Sequence, residues 1–271
     1  MALGYSMVYG IVRLINFAHG DIIMIGAYTT WFMLTRANCP VWLSVIIAIV
    51  FCAALGMFIE KVAYKPLRKS ERISLLITAI GVSFLLQNLI QLIFKADPRM
   101  LPNFFEGTIS FLGVSIPLVT VVVIAVSVIL MIILTLIVSK TKIGKAMRAV
   151  SEDNEIAQLM GIDINGVISF TFGIGSALAA VASVLYVSSY SRISPTMGSM
   201  LGLKAFVAAV LGGIGSIPGA VMGGLLIGIA ESLAKGYISS RLADAIVFAI
   251  LIIVLLIKPT GFLGASTREK V

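Results

Sequence analysis

Residues 107–139 read G-T-I-S-F-L-G-V-S-I-P-L-V-T-V-V-V-I-A-V-S-V-I-L-M-I-I-L-T-L-I-V-S, which is 33 residues without a charged side chain. About 20 apolar residues are enough to cross a bilayer as an α-helix. Four further uncharged runs have lengths of 22 to 28 residues, at 37–59, 73–94, 164–191 and 205–230. With the shorter runs 1–12, 22–35 and 245–257, the sequence predicts an all-α, polytopic transmembrane helical bundle of about eight membrane segments.

Composition excludes a soluble fold for this chain of 271 residues. Hydrophobic residues make up 59%, charged residues 12%, and the mean hydropathy is +1.10, whereas soluble domains carry about 25% charged residues. The net charge of +8 sits in clusters beside the predicted spans, so we expect no nucleic-acid partner. The composition therefore indicates a chain that is embedded in the lipid bilayer.

The basic residues orient the predicted spans. They cluster in segments 60–72 and 140–163 and after the last span, and cytoplasmic loops are enriched in Lys and Arg. The members are Lys61, Lys65, Arg68, Lys69, Arg72, Lys140, Lys142, Lys145, Arg148, Lys258, Arg268 and Lys270. Alternation of the crossings then places segment 95–117 and the turn Thr35–Pro40 outside.

The stretch L-G-G-I-G-S-I-P-G at 211–219 predicts a broken helix, because Gly and Pro interrupt a helical pattern. If the chain turns there, 196–212 and 217–233 are two passes and the C-terminus is cytoplasmic. A re-entrant pair of half-helices is the alternative. Only 12 residues precede Arg13, so either the true start lies upstream or the first helix is short. We expect a truncated first helix in a single transmembrane domain, 1–271.

A polar stretch adjoins the first apolar helix: Asn16, Phe17, Ala18, His19 and Gly20, followed by Asp21. Polar groups inside a membrane are costly and are therefore functional candidates. Two structural alternatives stay open. The stretch could form an interhelical hydrogen-bond knot, or a helix start capped by Asn16 or Asp21.

Polar and small residues within the spans could line a translocation path. The candidates are Gln87, Asn88, Gln91, Gly213 and Gly215. The alternatives are hydrogen bonds to a neighbouring helix for the amides and close helix packing for the glycines. Glu231, near the end of its helix, is interpreted as an interfacial charge.

The segment 144–163 is polar but helical in pattern. Ile156, Leu159 and Met160 recur at helical spacing and form a one-sided apolar patch, while acidic residues cover the other side. This pattern predicts a cytoplasmic helix that docks a partner. Binding to the lipid interface is the alternative, which the acidic second half disfavours.

Five stretches carry a resemblance to permease subunits of ATP-binding-cassette (ABC) importers. Glu155-Ile156-Ala157-x-x-x-Gly161 resembles their E-A-A-x-x-x-G loop. The run V-Y-G-I-V-R-L-I-N-F-A-H-G-D, followed by M-I-G-A-Y, resembles the LivH-type permease of branched-chain amino acid importers. Three further runs are similar to the same family: R-A-V-S-E-D-N-E-I-A-Q-L-M-G-I-D, A-A-V-L-G-G-I-G-S-I-P-G-A-V-M-G-G-L-L-I-G and K-P-T-G-F-L-G.

The resemblance implies a permease subunit of an ATP-driven importer in the bacterial inner membrane. Its implied partners are a second, LivM-type permease, two ATPase subunits that hold ATP and Mg²⁺, and an extracytoplasmic amino acid binding protein. The chain itself would hold no cofactor. Glu155, Ala157 and Gly161 match the ATPase-coupling loop, within a coupling helix at 144–163, and Asn16 to Gly20 match a family motif without an assigned role.

The residues themselves indicate a transport subunit rather than an enzyme. The chain has no G-x-x-x-x-G-K-[ST] phosphate loop and no readable nucleophile–base set. The same architecture could carry urea, amides or a sugar. An autonomous channel or ion-coupled carrier is the remaining class, and it predicts ionisable residues buried within the spans, whereas the long runs contain none.

Overall fold

The computed structural model describes residues 1–12, 16–68, 70–101, 104, 107–111, 114–258 and 260–264, so that Arg13, Lys69, Arg268 and Lys270 lie outside the described residues. The helices are α1 (Ala2–Val12), α2 (His19–Thr35), α3 (Val41–Ile59), α4 (Arg72–Phe94), α5 (Leu118–Lys140), α6 (Lys142–Glu152), α7 (Asn154–Leu159), α8 (Ile164–Tyr190), α9 (Met197–Gly212), α10 (Ile217–Leu233) and α11 (Ala243–Ile257). The prediction of an all-α, polytopic bundle is confirmed.

Five helical segments are long and apolar enough to cross a membrane, and α1, α9 and α11 are shorter apolar helices. The five are Val41–Leu67, Ile73–Phe94, Leu118–Lys140, Ile164–Tyr190 and Ile217–Ile238. Two of them include π-helical turns, Glu60–Tyr64 after α3 and Ala234–Ile238 after α10. Helices suit a bilayer because they satisfy the hydrogen bonds of their own backbone.

Four short strands lie at one end of the bundle, between α4 and α5 and after α8. Strand β1 (Arg99–Met100) pairs antiparallel with β4 (Arg192–Ile193), and β2 (Thr108–Phe111) pairs with β3 (Val114–Pro117). These strands follow α4 and α8 in the chain. They lie in and beside segment 95–117, for which the charge pattern predicts an outside location, and we call this the outer end.

Helix α2 lies at the centre of the bundle, packed against α3, α8 and α9. Twelve of its 17 residues are buried, and Ile22, Ile23 and Met24 have no exposed surface. By contrast, α5 packs loosely on the outside, because Leu134 is its one buried residue. The polar stretch before α2 therefore leads directly into the core.

A glycine contact holds α2 close to α9. A Cβ at Gly20 would overlap the backbone carbonyl of Gly198 and lie 2.8 Å from the Cα of Gly202. Small residues at such crossings let two backbones approach within van der Waals contact. Any larger residue at position 20 must separate the two helices.

The predicted break at 211–219 is present. Helix α9 ends at Gly212, Gly213 adopts φ +102°, and the Ser216 hydroxyl caps α10 by accepting from Gly219 N at 3.1 Å. The two helices form an antiparallel hairpin, because Gly212 packs on Gly219 and Ala208 on Gly223.

The C-terminal segment closes over this hairpin turn. Phe262 N donates to Leu211 O at 2.9 Å, and Leu263 N donates to Gly212 O at 3.0 Å. The end of α11 therefore lies at the same end of the bundle as the turn. This hairpin is compatible with two passes and with a re-entrant pair of half-helices, so the number of crossings made by α9 and α10 stays a prediction.

Candidate functional site

The segment 144–163 is two helices rather than the single coupling helix expected from the sequence. Asp153 adopts an extended conformation between α6 and α7, and its carboxylate accepts hydrogen bonds from Glu155 N at 2.8 Å and Ile156 N at 3.0 Å. An Asp at such a position caps the following helix and ends the preceding one. The chain therefore bends sharply at Asp153.

The three coupling-loop residues occupy different environments. Glu155 is exposed, Ala157 is buried, and Gly161 is exposed with φ +80°. A Cβ at Gly161 would meet no atom within 4 Å, so the requirement for glycine there is conformational rather than steric.

The predicted apolar patch faces away from the protein. Ile156, Leu159 and Met160 expose 60%, 86% and 78% of their surface. Beside them, a depression of about 320 Å³ lies between the end of α1 and the acidic run Glu152–Glu155. An apolar patch next to an acidic depression is a surface suited to a partner that presents apolar and basic side chains.

A buried ion pair that sequence reasoning missed anchors this region. The Glu60 carboxylate has no exposed surface, pairs with Arg68 and accepts a hydrogen bond from the Ser169 hydroxyl. Arg68 also donates to Asn165 Oδ1 at 2.8 Å. The pair thereby ties the chain after α3 to the start of α8, directly after the coupling segment.

The motif Asn16 to Gly20 is largely buried. Asn16 Oδ1 accepts a hydrogen bond from the Tyr64 hydroxyl at 2.8 Å, and Ala18 has no exposed surface. Phe17 is half-buried and packs against Phe206, with ring centroids 6.2 Å apart. The N-cap residue of α2 is Ala18, without a side-chain cap, so capping by Asn16 or Asp21 is not observed.

His19 contributes packing rather than a hydrogen bond through Nε2. Its ring meets the Tyr5 ring edge-on at 4.6 Å between centroids. Nε2 is buried and finds no hydrogen-bond partner among the described residues. A Cβ at Gly4 would lie 2.7 Å from this atom, so the imidazole requires glycine on the facing helix.

Asp21 and Gln87 form a polar network between three helices. Asp21 is fully buried; its Oδ1 accepts from Gln87 Nε2 at 2.9 Å and its Oδ2 from Ser83 Oγ at 2.5 Å. Gln87 also bonds Ser199 Oγ at 2.8 Å. Of the two structural alternatives, the interhelical knot is the one observed for Asp21.

The five residues predicted to line a translocation path do not lie together in one site. Gln87 faces the core, whereas Asn88 is exposed on the outside of α4 and Gln91 is half-buried. Gly213 packs on Gly264, and Gly215 on Gly10. The amides and the glycines therefore have different neighbours.

Glu231, which is interpreted from the sequence as an interfacial charge, belongs to a network of ion pairs. Lys204 Nζ lies 2.8 Å from Glu231 Oε1 and 2.6 Å from Asp244 Oδ1, and Lys235 Nζ lies 2.6 Å from Glu231 Oε1. Sequence reasoning missed Lys204, which lies between two long uncharged runs. Lys204 and the buried Asp21 show that the helices contain ionisable residues, although the long uncharged runs of the sequence contain none.

Comparison with known proteins gives consistent matches. Residues 1–255 match the family described as "Branched-chain amino acid transport system / permease component". The chain is 45% identical to the high-affinity branched-chain amino acid transport system permease protein BraD of Pseudomonas aeruginosa, and 46% identical to LivH of Escherichia coli K12. Each alignment covers 100% of this chain and 92% of the relative.

A more distant relative comes from Methanocaldococcus jannaschii. It is named a probable branched-chain amino acid transport permease protein LivH and is 30% identical over 99% of this chain and 89% of its own length. No solved structure matches the chain.

Proposed function

The chain belongs to the family of branched-chain amino acid transport permease components, and on this premise we propose that it is the membrane-spanning subunit of an ATP-driven importer of these amino acids. The observation that carries the proposal is the full-length similarity to permeases named for this transport. Such a subunit would form the translocation path, and separate ATPase subunits would supply the energy.

The proposed partners are a second permease of the LivM type, two ATPase subunits and an extracytoplasmic binding protein. ATP and Mg²⁺ would be held by the ATPase subunits. The proposed location is the inner membrane of a bacterium, with the coupling segment in the cytoplasm. The basic clusters beside the helix ends support this orientation.

We assign ATPase coupling to segment 144–163. Its support is the exposed patch of Ile156, Leu159 and Met160 beside the acidic depression. The segment leads into α8, whose start is tied to Glu60 and Arg68. A displacement of α7 by the ATPase would therefore reach the bundle through packed and hydrogen-bonded side chains.

The translocation path is assigned to the interface with the second permease. Asn88 supports this assignment, because its amide is exposed on a helix of the span and a polar group facing lipid is unfavourable. Gln91, half-buried one turn further along α4, would contribute to the same path. Gly213 and Gly215 would contribute at the opposite end, in the hairpin turn.

The experiment is ATP-driven uptake of leucine by the assembled importer in proteoliposomes, comparing the wild type with Gly161→Val. Valine is strained at φ +80°, so α7 should leave its position and uptake should fall about tenfold or more. Gly81→Val on the outside of α4 is the control, because a Cβ there meets nothing within 4 Å. Full uptake by a well-assembled Gly161→Val importer would contradict the coupling role.

The ion-coupled carrier remains a second candidate because Asp21 and Lys204 lie within helices of the bundle. The same proteoliposomes decide between the two. Uptake by this chain alone, without nucleotide and under an imposed ion gradient, would favour the carrier and defeat the importer.

A further inference from the structure

Helix α6 presents one basic face to its surroundings. Lys142, Lys145 and Arg148 recur every three residues and are exposed, and residues at this spacing are neighbours on the helix surface. Lys140, the last residue of α5, is exposed just before them. Within the part of the chain that the structure describes, none of these four cations forms an ion pair, although Glu152 ends the same helix. Four positive charges without a counter-charge therefore share one small surface.

The opposite face of α6 is covered by the protein itself. Met147 and Val150 are 0% and 3% exposed. A Cβ at Gly144 would overlap the carbonyl oxygens of Ile137 and Val138 in the last turns of α5, so the start of α6 is held tightly against the end of the span. The surface that α6 leaves for a partner is mainly charged, and its charge attracts an anionic partner.

The basic face lies where a span ends. Helix α5 ends at Lys140 and α6 begins at Lys142. Arg148 follows nearly two turns later, and its guanidinium still donates to the carbonyl of Ser139, in the last turn of α5, at 3.5 Å. Helix α6 therefore runs along the level at which α5 leaves the membrane. Ile143, which is 41% exposed between the cations, suits that level, because interfacial helices bring apolar side chains to the boundary of the acyl chains.

The bend at Asp153 separates this basic helix from the acidic part of the segment. Glu152, Asp153 and Glu155 are exposed at the bend and in α7. In one continuous helix, anionic headgroups would repel these acids while they attract the cations. Because the chain bends, α6 can contact headgroups while α7 presents its own surface to a different partner.

We propose that the basic face of α6, formed by Lys140, Lys142, Lys145 and Arg148, binds anionic phospholipid headgroups of the inner leaflet. Clusters of four or more Lys and Arg directly after a membrane span attract acidic lipids, and each cation adds to the attraction. The contact holds α6 at the membrane surface while α7 moves about the bend at Asp153. It does not depend on the transported solute, and so it goes beyond the proposed function.

An acidic surface on the ATPase subunits is the other anionic partner that this face could meet. The two partners differ in what the contact requires. A lipid contact is present in the purified chain alone and disappears without anionic lipid. An ATPase contact persists in nanodiscs of phosphatidylcholine, whose headgroups carry no net charge.

The test uses the purified chain in detergent, incubated with mixed micelles of phosphatidylglycerol and phosphatidylcholine in equal amounts. Mass spectrometry counts the phospholipids that stay bound through gel filtration. We expect the wild type to retain phosphatidylglycerol over phosphatidylcholine by about fivefold or more, and the variant Lys142→Gln/Lys145→Gln/Arg148→Gln to retain the two within about twofold of each other. The charge-conserving variant Lys142→Arg/Lys145→Arg/Arg148→Lys should behave like the wild type. Salt at about 1 M should abolish the preference, because it shortens the Debye length to about 3 Å.

The matched control removes three charges from the other end of the molecule. Arg36→Gln/Lys95→Gln/Arg192→Gln changes exposed positions at and beside the outer end, and it should keep the preference of the wild type. Thermal unfolding is followed for every variant. The midpoints should agree, because all the replaced side chains are exposed and surface substitutions change stability little.

Two lipid results would overturn the proposal. One is equal retention of phosphatidylglycerol by the wild type and the glutamine variant of α6, and the other is an equal loss in the outer-end control, which net charge alone would explain. If the glutamine variant of α6 binds purified ATPase subunits about tenfold more weakly in phosphatidylcholine nanodiscs, the face belongs to the ATPase instead. Absence of leucine uptake by the wild-type importer would defeat the proposed function but not the lipid contact, so the two failures are distinguishable.

Discussion

The hydroxyl of Tyr64 donates a 2.8 Å hydrogen bond to Asn16 Oδ1, joining the π-helical turn after α3 to the motif before α2. Tyr64 is 1% exposed and Asn16 is 3% exposed. Neither water nor lipid can replace this bond. The bond links the motif Asn16–Gly20 to the chain after α3, where Arg68 contacts the start of α8.

Tyr64→Phe tests this link. The change keeps the ring, which packs against Phe172, and leaves Asn16 Oδ1 buried without its donor. An unsatisfied buried acceptor costs about 1–3 kcal/mol, so we expect a lower free energy of unfolding in detergent micelles. Tyr190→Phe at an exposed position is the control and should leave the unfolding midpoint unchanged. Equal midpoints for the two variants would mean that the bond contributes nothing.

A second prediction concerns Glu60. Glu60→Gln removes the negative charge facing Arg68 in a site where the carboxylate has no exposed surface. Breaking a buried pair from one side costs about 3–5 kcal/mol, so this variant should be severely destabilised. Arg68→Gln should be destabilised as well, because it leaves the Glu60 carboxylate without its counter-charge.

The control for Glu60 is Asp97→Asn, which removes an acidic charge from an exposed position. Thermal unfolding of the three purified variants is the measurement. A Glu60→Gln protein as stable as Asp97→Asn would show that the ion pair does not hold α3 to α8.

The sequence predicts the helices well because the signal is local. Any uncharged run of about 20 residues must satisfy its backbone hydrogen bonds within one helix in a bilayer. The break at Gly213 is equally local, since it follows from glycine content. By contrast, the bend at Asp153 was missed, because the residues on both sides of it favour a helix.

The polar contacts between helices could not be predicted, since their partners are far apart in the sequence. Asp21 meets Gln87 across 66 positions, and Ser169 meets Glu60 across 109. A polar residue in a span predicts that a partner exists, but its identity depends on which helices pack together. Lys204 and Glu231 likewise meet only because α9 folds onto α10.

A third prediction uses the close backbone contact between α2 and α9. In Gly20→Ala the added methyl group overlaps the carbonyl of Gly198, so α2 must move away from α9. Overpacking of this kind costs about 1–3 kcal/mol. We expect a lower yield of folded protein and a lower unfolding midpoint. Gly81→Ala on α4 is the matched control, since its added methyl group meets no atom within 4 Å.

The last prediction separates docking from folding in the coupling segment. Leu159 is 86% exposed, so Leu159→Ser removes almost no packing within this chain and should leave its thermal stability unchanged. If the ATPase covers this patch, the loss of one central apolar side chain should weaken its binding by about 1–2 kcal/mol, or about tenfold. Gln158→Ser, an exposed polar change on the same short helix, is the control. The measurement is the affinity of purified ATPase subunits for the permease in nanodiscs, and equal affinity for both variants would place the docking surface elsewhere.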